Sequence, residues 1–351
     1  MKKGPRIAAL RAALFVASFA LSLLALELVV TLTGFRYSPV QIDVQGGGTD
    51  WRYRHAFEDD HFEFDPQQIW RPRAGEKVFN GQGFRGRELH GSAGPGELRL
   101  LALGDSNTLG WGGASIHWPG YLEEELEPAD LEVNVINAGV WGHSSYQGVA
   151  RLEAYLSFEP DVVLISYGAN DAHRVYVSDA RYVEQAARST LRRFLYRYSF
   201  GIGQLALKAL DALEGVDSPA EGRELVFRVS PEEYRANLSK MVQISRAQGA
   251  RVYLLTRPYT GESPSESWWK SFAPHYREAT REVGRELDVR VIDVYQLFVD
   301  RPQDFADESH FTESGYRRAA RLIGERIAPE LEAAPARRGP AARDSINTSR
   351  R

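Results

Sequence analysis

Apolar residues along this chain fall into three regimes. The first is an uncharged run from Ala12 to Leu26, interrupted by Glu27 and resumed through Leu28, Val29, Val30 and Leu32. A helix needs about 20 predominantly apolar residues to span a bilayer, so the pattern predicts a transmembrane helix over residues 7–35. Lys2, Lys3, Arg6 and Arg11 stand at its N-terminal end. The positive-inside bias then keeps residues 1–6 cytoplasmic and exports the body. Neither Val29-Val30-Thr31 nor Ala25-Leu26-Glu27 has the small-residue pattern of a signal-peptidase site. The expected form is therefore an uncleaved signal anchor, with a cleaved signal peptide or a buried soluble helix as alternatives. Glu27 is expected near the outer interface or against a partner, because a lipid-facing carboxylate is costly.

The second regime, residues 36–96, has little periodicity. Gly46, Gly47 and Gly48 read as a flexible link, and Asn80-Gly-Gln-Gly-Phe-Arg-Gly as turns between short strands. A linker and a small irregular lead-in packed on the main domain are expected here. Asp59, Asp60 and His61 are read as a solvated charge cluster rather than a metal site.

The third regime begins near residue 97. Short apolar runs start at Leu98, Val133, Val162, Val252 and Val289, and segments of helical spacing separate them, such as Tyr146 to Leu156 and Tyr234 to Gln248. Alternating strands and helices predict a parallel sheet covered on both faces, with ligands outside the carboxyl ends of its strands. The main domain is expected over residues 97–330. Residues 180–229 are too long for a simple crossover and read as a helical insertion packed against the body, with a lid or a membrane-facing surface as the alternative, and 331–351 as a disordered tail.

Composition narrows the chemistry. The chain has no cysteine, which excludes disulfides, cysteine–zinc sites and thiol nucleophiles. Its formal net charge is -4, with both signs mixed throughout, so a nucleic-acid partner has no electrostatic support.

Four short motifs follow the strand-like runs or precede the last helix. Gly104-Asp105-Ser106-Asn107 places a serine in the turn after the first run, where a helix N-terminus offers amide dipoles; a helix-capping turn reads equally well. Asn137-Ala-Gly139 ends the second run, and Gly168-Ala-Asn170-Asp171 follows the third. A glycine amide and an asparagine amide at such places can donate to a developing oxyanion, or can be an ordinary turn and a helix cap. Asp307-Glu-Ser-His310 sets a carboxylate and an imidazole on one loop, with Thr312 expected to cap the last helix. Such a pair fits a nucleophile–base–orienter relay with a serine, or is plain surface decoration near a C-terminus.

Together the four motifs resemble the SGNH, or GDSL-type, hydrolase family, over roughly Leu98 to Ile327. The resemblance implies a flavodoxin-like three-layer α/β/α sandwich and ester or acyl chemistry without metal or cofactor. It implies Ser106 as nucleophile, His310 as base and Asp307 as orienter, with Ser106, Gly139 and Asn170 as oxyanion donors. His143, His173, Trp268 and Trp269 are candidate substrate contacts, with loop packing as the alternative for the tryptophans; His117 and His275 are expected at the surface. The expected protein is a single-pass membrane serine esterase with an extracytoplasmic catalytic domain and an ester- or acyl-bearing small-molecule, lipid or glycan substrate. An O-acyltransferase acting on an exported polysaccharide and a non-catalytic glycan-binding scaffold are the alternatives.

Overall fold

The computed structural model describes residues 4–33, 60–89, 93–94, 96–113, 115–126, 132–175, 177–187, 201–213, 224–260 and 272–332. The Gly46–Gly48 link, Asp59, Trp268, Trp269, parts of the insertion and residues 333–351 of the expected tail lie outside the described residues, whereas Leu331 and Glu332 continue the last helix because Leu331 is buried in the core.

The first helix, α1, runs Gly4–Leu32. It starts three residues before the expected transmembrane boundary and ends three residues sooner, and most of its described side chains are open. The lead-in contains an antiparallel pair, β1 (Phe62–Asp65) and β2 (Ile69–Pro72).

The main body follows the expected alternation. In order come β3 (Glu97–Gly104), α2 (Ser106–Leu109), α3 (Trp118–Leu126), β4 (Glu132–Gly139), α4 (Ser145–Leu156), β5 (Val162–Ser166), β6 (Arg174–Val175), α5 (Asp179–Ala187) and α6 (Gly201–Leu213). They are followed by β7 (Val226–Phe227), α7 (Pro231–Ala247), β8 (Arg251–Leu255), α8 (Ala273–Glu286), β9 (Arg290–Ile292), α9 (Val294–Phe298) and α10 (Glu313–Glu332). Five strands form one parallel sheet in the order β4-β3-β5-β8-β9. The chain therefore steps outward from β3 to one side and then to the other. The crevice at that reversal, beside the end of β3, is where open parallel sheets bind ligands.

Both faces of the sheet are buried, which explains why its strands read as continuous apolar runs. Successive strand side chains point to opposite faces. Leu101, Leu103, Val163, Ile165, Val252 and Leu254 pack with Leu152, Met241 and Val283 of α4, α7 and α8. Leu100, Ala102, Val162, Leu164, Tyr253 and Leu255 pack with Leu122 of α3 and Tyr316, Ala320 and Ile323 of α10. A third cluster, including Phe62, Trp70, Phe79, Leu109, Val140 and Val175, seats the lead-in against the ligand-binding edge. The insertion leaves and returns through a short antiparallel pair, Arg174 with Phe227 and Val175 with Val226.

Candidate active site

The parallel register aligns Gly104 of β3 with Gly139 of β4 and with Ser166 of β5. The residues that follow these three positions therefore emerge along one edge. Ser106 is the first residue of α2 and is half-buried. Asp105 caps this helix by accepting the Asn107 amide at 2.9 Å. The turn is thus a helix cap and a serine presenter at once; the two readings describe one structure.

The Asp307–His310 loop comes to Ser106 from the far end of the chain. His310 Nε2 lies 2.8 Å from Ser106 Oγ, and His310 Nδ1 lies 2.7 Å from Asp307 Oδ2. With Nδ1–H donating to the carboxylate, Nε2 is left to accept the serine hydroxyl proton. Asp307 also accepts the amides of Ser309 and His310 through its other oxygen, both at 2.8 Å. Burial alone would raise the Asp307 carboxyl, but these hydrogen bonds outweigh it and hold the group well below the usual carboxylate range. The carboxylate therefore stays charged opposite the imidazole. Thr312 caps α10 through Gly315 N–H, fixing the loop's exit.

The three expected oxyanion donors fare differently. Ser106 N–H, in the first turn of α2, has no acceptor among the described residues. Asn170 is half-buried and donates one amide hydrogen to His143 O at 3.0 Å, which leaves the second hydrogen for another acceptor. Gly139 is different: its N–H is already given to Asn137 Oδ1 at 3.0 Å. Its missing side chain serves packing instead, since a Cβ there would lie 2.2 Å from Leu109 N. Three residues on, Gly142 N–H meets no acceptor among the described residues, and its carbonyl is held by Arg228 Nη1 at 2.8 Å.

Two bracing groups escape the motif reading. Arg257, just past β8, donates through Nε to both oxygens of Asp105, at 3.0 and 2.8 Å, and through Nη1 to Ser309 O at 2.8 Å. Asn107 Nδ2 reaches the same Ser309 carbonyl at 2.9 Å. The serine turn and the histidine loop are thereby tied together beneath the Ser106–His310 bond. A lone arginine after a strand carries no sequence signal, because its partners lie 152 and 52 residues away. Arg228 and Asp179 form a second buried pair at 2.7 Å; Ser144 Oγ also donates to Asp179, and Arg228 reaches Gln147 as well as Gly142. Asp171, fully buried and bonded by the amide and hydroxyl of Ser145, is pushed up to about 6 by burial.

His143 is buried, with Nε2 at 3.1 Å from Trp70 O and its ring edge-on to Trp70, so it anchors the lead-in rather than facing open space. His173 is half-buried beside the β6–β7 stalk, its carbonyl accepting Arg228 N–H. His117, expected at the surface, is buried; its Nδ1 accepts Gly120 N–H at 2.9 Å, because its ring fills the space left open by that glycine. His275 is exposed. Asp60 is exposed and 3.8 Å from Lys77, while the His61 ring stands edge-on to Trp141. One aromatic not singled out from sequence borders the site: Trp111, half open to solvent, stacks on the His310 ring with centroids 5.0 Å apart.

The model of the GDSL-like lipase/acylhydrolase family matches residues 102–318. Similar sequences include the thioesterase 1/protease 1/lysophospholipase L1 of Escherichia coli K12, 37% identical over 98 residues, which are 27% of this chain and 43% of that protein. An arylesterase of Vibrio mimicus is 40% identical over 78 residues, 22% of this chain and 39% of its own. The uncharacterized lipoprotein YqeF of Bacillus subtilis is 24% identical over 64% of this chain and 82% of its own. The chain thus spans less than half the length of the first two relatives. Among solved structures, the lipase/acylhydrolase from Enterococcus faecalis is 23% identical, with a TM-score of 0.45 over 66% of this chain and 96% of its own. The family match covers more than half of the sequence and contains Ser106, Asn170, Asp307 and His310, and the chain belongs to the GDSL-like lipase/acylhydrolase family.

Proposed function

We propose that this protein is a membrane-anchored serine esterase. The observation that carries the reading is the hydrogen-bonded relay from Asp307 through His310 to Ser106. Ser106 Oγ attacks the ester carbonyl while His310 Nε2 takes its proton, and Asp307 stabilises the imidazolium that forms. The tetrahedral oxyanion is held by the N–H of Ser106 and by the free amide hydrogen of Asn170. Gly142 replaces Gly139 as the third donor, because the Gly139 amide already has an acceptor. Collapse of the intermediate expels the alcohol, which takes the proton from His310; water then enters by the same route in reverse and releases the acid. Relatives named as an arylesterase and a thioesterase support acyl-ester chemistry.

The anchor is α1. Its Leu10–Leu32 stretch is long and apolar enough to cross a membrane, and at 1.5 Å per residue it reaches about 35 Å. The basic residues at its N-terminal end favour an extracytoplasmic catalytic domain, and a relative named as a lipoprotein supports an exported location.

Ser106→Ala is the deciding variant. It should fold normally, fail to react with a fluorophosphonate probe and fail to hydrolyse p-nitrophenyl acetate. Undiminished labelling of the folded variant would remove Ser106 from the mechanism. Release of free acetate, as against its transfer to a glycan hydroxyl, separates the esterase from an acyltransferase built on the same residues.

A further inference from the structure

The apolar first helix carries one carboxylate in its outer half, and the fold supplies it with a partner. Glu27 Oε2 accepts Ile202 N–H at 2.8 Å. Ile202 lies in the first turn of α6, where amides have no acceptor within the helix and the helix dipole favours an anion. The approach is close because residue 201 is glycine: a Cβ there would lie 2.9 Å from Val30 Cβ and 3.0 Å from Glu27 Oε2. Val30 is only 6% exposed, while its neighbours Leu28, Val29 and Leu32 are open.

Depth matters here. Glu27 lies 17 residues beyond Leu10, about 26 Å along the helix, so it falls near the outer edge of a hydrocarbon core about 30 Å thick. An unpartnered carboxylate at that depth is costly. Partnered to an amide of a helix start, it is tolerated, and that helix must then sit at the membrane boundary with it. On α6, Ile202, Leu205 and Leu210 are half-buried and Lys208 is exposed, an arrangement suited to an interface.

We infer that α6 is docked on the anchor through Glu27 and Val30, so that α1 is a working part of the fold rather than a tether. The insertion that carries α6 leaves the body at β6, four residues after Asn170, and returns at β7 beside Arg228, which holds the Gly142 carbonyl. Docking therefore places the insertion, which leaves and rejoins the body at the active-site edge, at the membrane boundary. The inference rests on reading α1 as an uncleaved membrane helix.

The chain has no cysteine, so engineered pairs report without interference. Val30→Cys with Gly201→Cys, and separately Glu27→Cys with Ile202→Cys, are made in the full-length protein with a protease site placed between residues 34 and 59. Membranes are washed with carbonate, oxidised, cut and run without reductant. The Val30–Gly201 pair should hold the two fragments together, since a Cβ at residue 201 lies 2.9 Å from Val30 Cβ and disulfides form only where Cβ atoms come within about 4.5 Å; the Glu27–Ile202 pair, which meets through the far end of the glutamate, should link above the control but to a lesser extent. A control of Phe19→Cys with Gly201→Cys places the first thiol about 16 Å further down the helix, and it should release its fragments. Glu27→Leu added to the first pair should reduce the linked fraction, and Glu27→Gln, which keeps an acceptor oxygen, should restore it. Linkage of both pairs no greater than the control, with α1 present in the washed membrane, overturns the docking and leaves the anchor standing. Loss of the α1 fragment by cleavage overturns both.

Discussion

A serine hydroxyl attacks an ester only where a base takes its proton, and an oxyanion forms readily only where its donors are already in place. Asn170 tests the second requirement. One of its amide hydrogens is used on His143 O, which fixes the direction of the other. Removing one preorganised oxyanion donor lowers turnover about 100- to 1000-fold, roughly 3–4 kcal/mol of barrier. Asn170→Ala should show that loss in kcat, with little change in KM, while still labelling slowly at Ser106. If Asn170 only shaped the loop, the thermal midpoint would fall and kcat would stay. The same comparison separates the two glycines. Replacing the Gly142 amide N–H by an ester oxygen, which keeps the φ of 72° that a proline ring could not adopt, should depress kcat. Gly139→Ala should instead unfold the edge, since its Cβ would meet the Leu109 backbone. The linear pattern points to Gly139 because it ends an apolar run; that the Gly139 amide already has an acceptor, and the Gly142 amide has none among the described residues, cannot be seen in it.

At the scale of elements, the site depends on two loops separated by about two hundred residues and joined by Arg257. Its guanidinium and the Asp105 carboxylate are both buried. Breaking a buried pair from one side leaves an uncompensated charge, at a cost of about 3–5 kcal/mol. Arg257→Met should therefore lower stability by that order, and should also slow turnover because the Ser309 carbonyl loses one of its two ties. Asp105→Asn combined with Arg257→Met should recover much of the stability in urea unfolding, since no bare carboxylate remains. Recovery of kcat would be smaller, because the tie to Ser309 is still missing. Equal effects on both measurements would reduce the brace to a stability element. The strands themselves were legible because burial on both faces writes uninterrupted apolar runs; the brace was not, because arginine after a strand is ordinary on any surface.

At the scale of the whole molecule, burial sets a pH limit on stability. His117 is held down to about 3, first by burial and then by the Arg85 charge, and His143 is driven well below its ordinary value, mainly by burial. Both refuse a proton in the folded state that the unfolded chain accepts below about 6.5. Stability should thus be unaffected by these groups above pH 6.5 and fall by about 1.4 kcal/mol per pH unit for each as pH drops below it. Urea unfolding at pH 7, 6 and 5 measures the slope, and His117→Gln should remove its share of it. A slope unchanged in that variant would place the acid sensitivity elsewhere. Independently, full-length protein should stay in the pellet after a carbonate wash, with its body accessible to protease only from outside. A soluble product beginning near Thr33 would identify a cleaved signal peptide instead.

Period and order were enough for the sequence to determine the sheet, the apolar first helix and the four motif positions. Alternation of strand-length runs with helical spacing leaves little choice but a parallel sheet, and the residues after its strands must then share an edge. Tertiary structure alone decided which groups serve that edge. It spends the Gly139 amide on Asn137, turns His143 inward to Trp70, buries His117 beside Gly120 and brings Arg257 under the serine turn. It also sets Glu27 against the start of α6. Each of these depends on distance between residues far apart in the chain, and hydrogen bonds are won or lost over tenths of an ångström that no spacing in a sequence encodes.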